Sequence, residues 1–576
     1  MFTCVKNYGN PFALEDSRLL KLHTQDAVEP AVVESIQMLE SKGQTQYESF
    51  KREVLENGSK SIHDPIPRNS FPLMSTPLKK VATSNGSKLK TIQINNSIFS
   101  QTVAVLQQRD VSLKKMFSHE FHFFAPSISQ FGELNLPSNK ANLIHEIVTE
   151  CHNAPDDLSE HDPTSTVLFD GGRLLYQYPP KANMTFQQYA QSLKVGPISH
   201  HLLYNQRVDV VFDTYIDGSL KAATRNKRGK GLRRRVAAET KCPSKWPQFL
   251  KDTRNKKELN LFLAEYLTSQ TYTAGRQLFA TSEEKVLSNT SLTMPDSNHE
   301  EADTRLLLHT QHALSEGMNQ VKILSNDTDV VIIALGAYSK LRSSYHFDDI
   351  IIEFGQNRTH RTISLKALAE SLGPSRCHAL PFLHALTGSD TTSAFKGIRK
   401  KKGYDALKGY QDAEAVLSDL YFNPFKSLKE EDDSFKKIQR LVILMYSRTS
   451  VLEDINELRM ELYFQRTQNI ENIPPTRNAL FLHTLRCIYQ LGVWSTCLNS
   501  FQNRPSPCAF GWKKADGSML IYNPVWITQK EAIKECREFV KCSCSTEYCT
   551  RCKCKTAMLK CTLLCSCKCP DRVRFE

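Results

Sequence analysis

Three short apolar runs in the middle of this chain each run into an aspartate, and that pattern constrains the fold more than anything else in the sequence. They read "TVLFD", "VDVVFD" and "VKILSNDTDVVII", and they place Asp170, Asp213, Asp327 and Asp329 at segment ends. Runs of this length and β-branched content are what buried strands require. Between them lie helical patterns such as "SLKALAESLG". Strand and helix in alternation predict an α/β domain, a parallel sheet covered by helices. On this reading Val330–Ile333 is itself a buried strand with two acids at its lip.

In an open parallel sheet the carboxyl ends of the strands converge on one crevice. Two further acidic segments fall in the same interval. Glu301 and Asp303 open the amphipathic pattern "EEADTRLLLHTQHAL", and Asp390 lies in "FLHALTGSDTTSAF". Singly, each of these acids is as readily a turn residue or a helix cap. Together in one crevice they repel, and several would take up protons. Divalent cations with a preference for hard oxygen ligands, Mg²⁺ or Mn²⁺, remove that penalty. Two such ions about 4 Å apart are the equipment of phosphodiester hydrolysis.

The order "VLFDGGRLLY", "VVFDTY", "EEADT", "SNDTDVV", "TGSDTT" resembles the nuclease core of the flap endonuclease (XPG/FEN-like) branch of PIN-like nucleases over roughly residues 165–410. The resemblance implies that Asp170, Asp213, Glu301, Asp303, Asp327, Asp329 and Asp390 hold two Mg²⁺ or Mn²⁺ ions. An aspartate, Asp303, stands where the family has its second glutamate. It further implies that Lys221 and Arg228 approach the scissile phosphate, with Arg225 on the same helical face, and that 229–295 forms a helical arch or clamp. "FKGIRKKKGYDAL" resembles the family's helix–two-turn–helix duplex grip, with Arg399 in place of the second loop glycine. There Arg399, Lys400, Lys401 and Lys402 are expected to hold a phosphate backbone as point charges.

Charge agrees with a polyanionic partner. The chain carries 74 Lys and Arg against 61 Asp and Glu, a net +13. The excess is clustered in "KAATRNKRGKGLRRR", "KGIRKKKG" and the carboxyl-terminal tail. Such clusters point to nucleic acid, DNA ahead of RNA, or else to a solvated helix face or an import signal. No stretch has the roughly 18 apolar residues of a membrane span, and "MFTCVKNYGNPF" has no export pattern. The expected compartment is the nucleus, with the cytoplasm as alternative.

Of 17 cysteines, seven are scattered and read as small core residues. Ten crowd the tail. From Cys542 they run C-x-C-x4-C-x2-C-x-C-x6-C-x3-C-x-C-x-C through Cys544, Cys549, Cys552, Cys554, Cys561, Cys565, Cys567 and Cys569. Nine thiolates fill the positions on three zinc ions only if three of them bridge, and metal would then replace a hydrophobic core. The spacing resembles the CXC module of tesmin-type chromatin proteins. That likeness implies three structural Zn²⁺ and DNA contact through Arg551, with Lys553 beside it, in a minor groove.

The chain thus divides, as read, into a mixed helix and loop region (1–160), a PIN-like nuclease domain (161–410), a helical region (411–530) and a cysteine module (536–570). Its "HEEADTR", "SNDTDVV" and "ALTGSDTT" are also similar to a set of animal proteins linked to mobile elements. Three functions compete. The first is a two-metal DNA nuclease tethered by its tail. The second is a catalytically weak or inactive PIN-like protein that binds nucleic acid or chromatin. The third is an acid-rich α/β domain for protein interaction, and it requires that the seven acids do not meet in space.

Overall fold

The computed structural model describes residues 30–61, 64, 113–120, 124–130, 132–150, 165–216, 218–221, 231–273, 275–355, 360–465, 472–515 and 521–528. Two compact units are present: 1–117 with 460–470 and 530–576, and 118–459 with 471–529. In the first, the amphipathic sequence after residue 29 forms helices Pro30–Gln37 and Leu39–Phe50, continued by a wider helical turn over Lys51–Glu56.

The second unit is built on a seven-stranded sheet. Its strands are β1 (Ser165–Asp170), β2 (Arg207–Val211), β3 (Gln277–Ser282), β4 (Lys285–Ser288), β5 (Gln320–Leu324), β6 (Asp349–Phe354) and β7 (Arg361–Ser364), in the order β4-β3-β2-β1-β5-β6-β7. The five central strands are parallel, and the edge strands β4 and β7 are antiparallel. This is the expected α/β architecture, a largely parallel sheet flanked by helices. β1 and β2 are buried along their length because both of their faces are covered.

One face packs Val167, Phe169, Val208, Val210 and Leu278 against helices that include α2 (Gly171–Gln177) and α3 (Thr253–Thr268). α1 (Asn142–Glu150) precedes the sheet. The opposite face carries α4 (Ala302–Ser315), which reaches Asp209 between Val208 and Val210. α5 (Thr328–Ser344) packs on α4, and α6 (Pro374–Leu386) packs on α5. Beyond residue 399 come α7 (Lys400–Lys408), α8 (Gln411–Phe422), α9 (Asp433–Tyr446) and α10 (Arg477–Ser495). α8 and α10 pack against α6, so this helical region and residues 118–150 belong to the same compact unit as the sheet.

Two readings from sequence are corrected. Val330–Ile333 is not a strand but the start of α5, whose residues 328–338 are all buried. A helix enclosed on every side is apolar on every side, and a four-residue run of that kind looks the same as a buried strand. The described part of the interval 229–295, residues 231–273 and 275–295, is not a free helical arch or clamp either. Its helix α3 buries Leu259, Leu263, Ala264 and Leu267 in the sheet core, and β3 and β4 belong to the same interval.

Candidate metal and phosphodiester site

Parallel register aligns the carboxyl ends of β1, β2 and β5: Asp170 stands opposite Val211, and Phe169 opposite Leu324. Each strand leads into the first turn of a helix or points an acid at one. Asp170 N-caps α2, its Oδ1 accepting from Gly172 N at 2.8 Å. Its Oδ2 accepts from Ser325 Oγ at 2.8 Å, and Ser325 Oγ in turn accepts from Asp327 N at 3.1 Å. Asp327 N-caps α5 by accepting from Asp329 N at 2.9 Å. Asp213 Oδ1 accepts from Ala302 N, the first residue of α4, at 3.0 Å. The acids are thus held by backbone donors that the helix ends leave over.

Asp303, on the first turn of α4, faces Asp327 and Asp329, and oxygens of the three lie within 4.8 Å of one another. Glu301 Oε1 pairs with Lys221 Nζ, which lies 3.7 Å from Asp390 Oδ2. Glu301 Oε2 is buried and has no hydrogen-bond partner among the described residues. Lys140 Nζ pairs with Asp390 Oδ1 and lies 3.6 Å from Asp329 Oδ1. Asp390 is brought in by the turn after α6, where Gly388 has φ +106° and a Cβ would meet Ala394 N at 2.9 Å. Only glycine takes that turn without strain. All seven acids named from sequence therefore stand in one linked neighbourhood at the strand ends, and the protein-interaction reading loses its premise.

The electrostatics are those of an under-compensated cluster. Burial, then the charge of Asp329, pushes Asp327 up to about 7. Burial followed by Asp327 raises Asp303 well above the usual carboxylate range, and burial followed by Asp213 raises Asp170. Glu301 is raised by burial against the opposing pull of Lys221. Asp329 and Asp390 go the other way. Burial works against ionisation in both, but Lys140 and His384 hold Asp329 low, and Lys221 and Lys140 hold Asp390 low.

Sequence reading missed two contributors, His384 and Lys140, and gave a third, Lys400, another role. His384, on α6, places Nε2 3.0 Å from Asp329 Oδ1, and Lys400 Nζ lies 3.1 Å from His384 Nδ1. Burial, then the Lys400 charge, lowers His384 to about 4, so the neutral ring donates to Asp329 and accepts from Lys400. The other missed residue is Lys140, from a segment with no periodic signal. For His384 the only hint was its position in "FLHALTGSD", one helix turn before the acid-bearing loop.

Lys400 itself corrects an expectation. Grouped with Arg399, Lys401 and Lys402 as a surface cation, it is instead 4% exposed, and its ammonium also donates to His384 O, Thr387 Oγ1 and Gly388 O. No phosphate reaches it there. Arg399, Lys401 and Lys402 are exposed, Lys401 in a pair with Glu146. Arg225, Arg228, Arg551, Lys553 and the nine tail cysteines lie outside the described residues.

The donor set fits a hard divalent ion: every ligand atom is a carboxylate oxygen, and a buried one is left without a partner. No protein-family model matches the chain, and no curated protein matches it. Among solved structures the chain is similar to a bacteriophage T5 protein co-crystallised with metal ions, at 13% identity and a TM-score of 0.30, over 58% of this chain and 92% of that one. The T5 flap endonuclease in a pseudo-enzyme–product complex with DNA and metal ions matches at 14% identity and a TM-score of 0.27, with the same coverage. The catalytic core of Rad2 in complex with DNA substrate matches at 15% identity and a TM-score of 0.26, over 55% of this chain and 83% of that one. At likenesses this low, the chemistry has to be read from the site's own atoms.

Proposed function

We propose that the chain is a divalent-metal-dependent nuclease that hydrolyses phosphodiester bonds in DNA. The observation that carries this reading is the convergence of seven carboxylates from separate segments on the carboxyl ends of β1, β2 and β5. Asp303, Asp327 and Asp329 are grouped closely enough to share one ion. When bound, Mg²⁺ or Mn²⁺ supplies Lewis acidity toward a phosphodiester oxygen and toward a coordinated water, and two ions do both at once. Asp303, Asp327 and Asp329 would hold the first, with Glu301, Asp390, Asp170 and Asp213 around it.

The chain's own cations have a distinct task. Lys221, steered by Glu301 and Asp390, puts a positive charge where a phosphoryl oxygen would gather negative charge. The exposed Arg399 and Lys402 offer non-specific attraction to a phosphate backbone, which Lys401 would join only on leaving Glu146. Arg225 and Arg228 would extend that surface. The tail cysteines would hold three zinc ions and, through Arg551 and Lys553, add a minor-groove contact that tethers the nuclease to DNA in the nucleus.

Cleavage of flapped, nicked and single-stranded DNA in Mg²⁺ or Mn²⁺ tests the reading. The wild type should cut, and an Asp327→Ala/Asp329→Ala double variant should fall to background. Equal background from both proteins ends the nuclease proposal. It would leave the second reading, a catalytically inactive DNA or chromatin binder, which one observation favours: a lysine ammonium already stands between Asp329 and Asp390.

A further inference from the structure

Lys140 reaches the acid site from outside the sheet, on a segment that is fastened on both sides of it. Before Lys140, Asn135 exchanges hydrogen bonds with Ala394, the peptide N–H donating to Asn135 O at 2.6 Å and Asn135 Nδ2 donating to Ala394 O at 2.8 Å. Lys396 N donates to Ser127 O at 2.7 Å. These bonds clip the segment to the loop that carries Asp390. After Lys140, α1 lies against α7. Glu146 pairs with Lys401, and Glu150 accepts from Tyr404 OH at 2.6 Å and from Lys408 Nζ at 2.8 Å. The ammonium of Lys140 is therefore delivered between Asp329 and Asp390 by a built mount and not by a wandering surface side chain.

The mount also matches charge with charge. Its lysine meets carboxylates, where a metal ion would otherwise be drawn. Its glutamates meet the basic α7, where phosphates would otherwise be drawn. A monovalent ammonium paired with one carboxylate and 3.6 Å from a second excludes a divalent ion from that spot by both volume and repulsion.

Resting on the metal-site reading above, we propose that Lys140 is a built-in counter-ion of this site. It fills the position between Asp329 and Asp390, so the protein holds one divalent ion tightly at Asp303–Asp327–Asp329 and admits a second only when Lys140 withdraws. The second cation of the site is thus part of the polypeptide, and occupancy by a second ion is coupled to movement of residues 132–150.

Counting bound Mn²⁺ on the full chain by electron paramagnetic resonance tests this, because zinc is silent in that measurement. The wild type and Lys140→Arg should bind one Mn²⁺ at concentrations where Lys140→Met binds two, the second at least tenfold tighter than in wild type. A Glu146→Gln/Glu150→Gln variant, which loosens the mount and keeps the lysine, should also tighten the second ion, and it serves if Lys140→Met fails to fold. Two ions held with equal affinity by wild type and Lys140→Met would overturn the counter-ion role and leave the nuclease reading standing. Absence of Mn²⁺ from every variant would remove the metal site and this inference together.

Discussion

Helix α4 touches two buried carboxylate clusters, one near each end, and they are balanced in opposite ways. Near its carboxyl end is Asp209, fully enclosed. Arg207 donates to Asp209 through Nε at 2.6 Å and Nη2 at 2.7 Å, and His309 Nδ1 adds a contact at 2.6 Å. Arg207 lies 3.9 Å over the Phe279 ring and contacts His312 Nδ1 at 2.8 Å. Burial would raise Asp209, but Arg207 and His309 hold it below the usual carboxylate range. At the amino end of the same helix, Asp303 and its neighbours Asp327 and Glu301 are pushed upward. One cluster closes its charge within the chain and reads as structural. The other leaves negative charge for a partner the chain does not itself supply in full, and that imbalance is what the proposed metal site requires.

The largest effect that would sharpen this contrast is expected from Asp209→Ala. Stranding Arg207 in the core should cost about 3–5 kcal/mol of stability in chemical denaturation. Mn²⁺ should not offset that loss specifically, and a cost near zero would mean that the two clusters are not different in kind.

Asp327→Asn should do the reverse in metal-free protein. The folded Asp327 carboxyl keeps its proton up to about pH 7, whereas the unfolded one loses it near 3.8. Across that window the folded chain binds more protons, so the stability this group contributes below pH 3.8 is lost as pH rises through 7. Asparagine does not titrate and retains the acceptor that caps α5. Denaturation at pH 4 and pH 8 should show the variant gaining on wild type by up to about 4 kcal/mol at the higher pH. A gap that does not change with pH would break the argument.

The smallest effect is expected from the ion. Mn²⁺ at about a hundred times its dissociation constant should stabilise the wild type by about 2.7 kcal/mol. Asp327→Asn should show a much smaller gain in the same thermal scans, and an equal gain would place the ion elsewhere.

The sheet and its acids were legible in the sequence because β1 and β2 are buried on both faces, whereas β5 leaves Lys322 half-buried. The strands end in apolar stretches, Val167–Phe169, Val210–Phe212 and Ile323–Leu324, and acids that follow such stretches stand out. The D-x-D was found but given the wrong backbone. Asp327 and Asp329 begin a helix, and the enclosure of α5 erased the periodicity that would have announced it. Lys400 was misplaced for a related reason. A run of four cations reads as a surface, yet the turn of α7 sends one of them inward to His384. Lys140 was invisible because nothing local marks it. Its meaning comes from Asp390, with which it pairs only in the folded chain.

The helix starts around the site have a kinetic consequence. Asp170, Asp213 and Asp327 each accept a backbone N–H from the first turn of a helix, so their rotamers are settled when the protein folds. An arriving cation does not have to gather its ligands from mobile loops, and the ordering entropy was spent earlier, in folding. What remains to limit its entry is the shedding of its own hydration water, which Mg²⁺ does reluctantly. Loading of the first ion at Asp303–Asp327–Asp329 would then run at a pace set by the ion, whereas the second waits on Lys140.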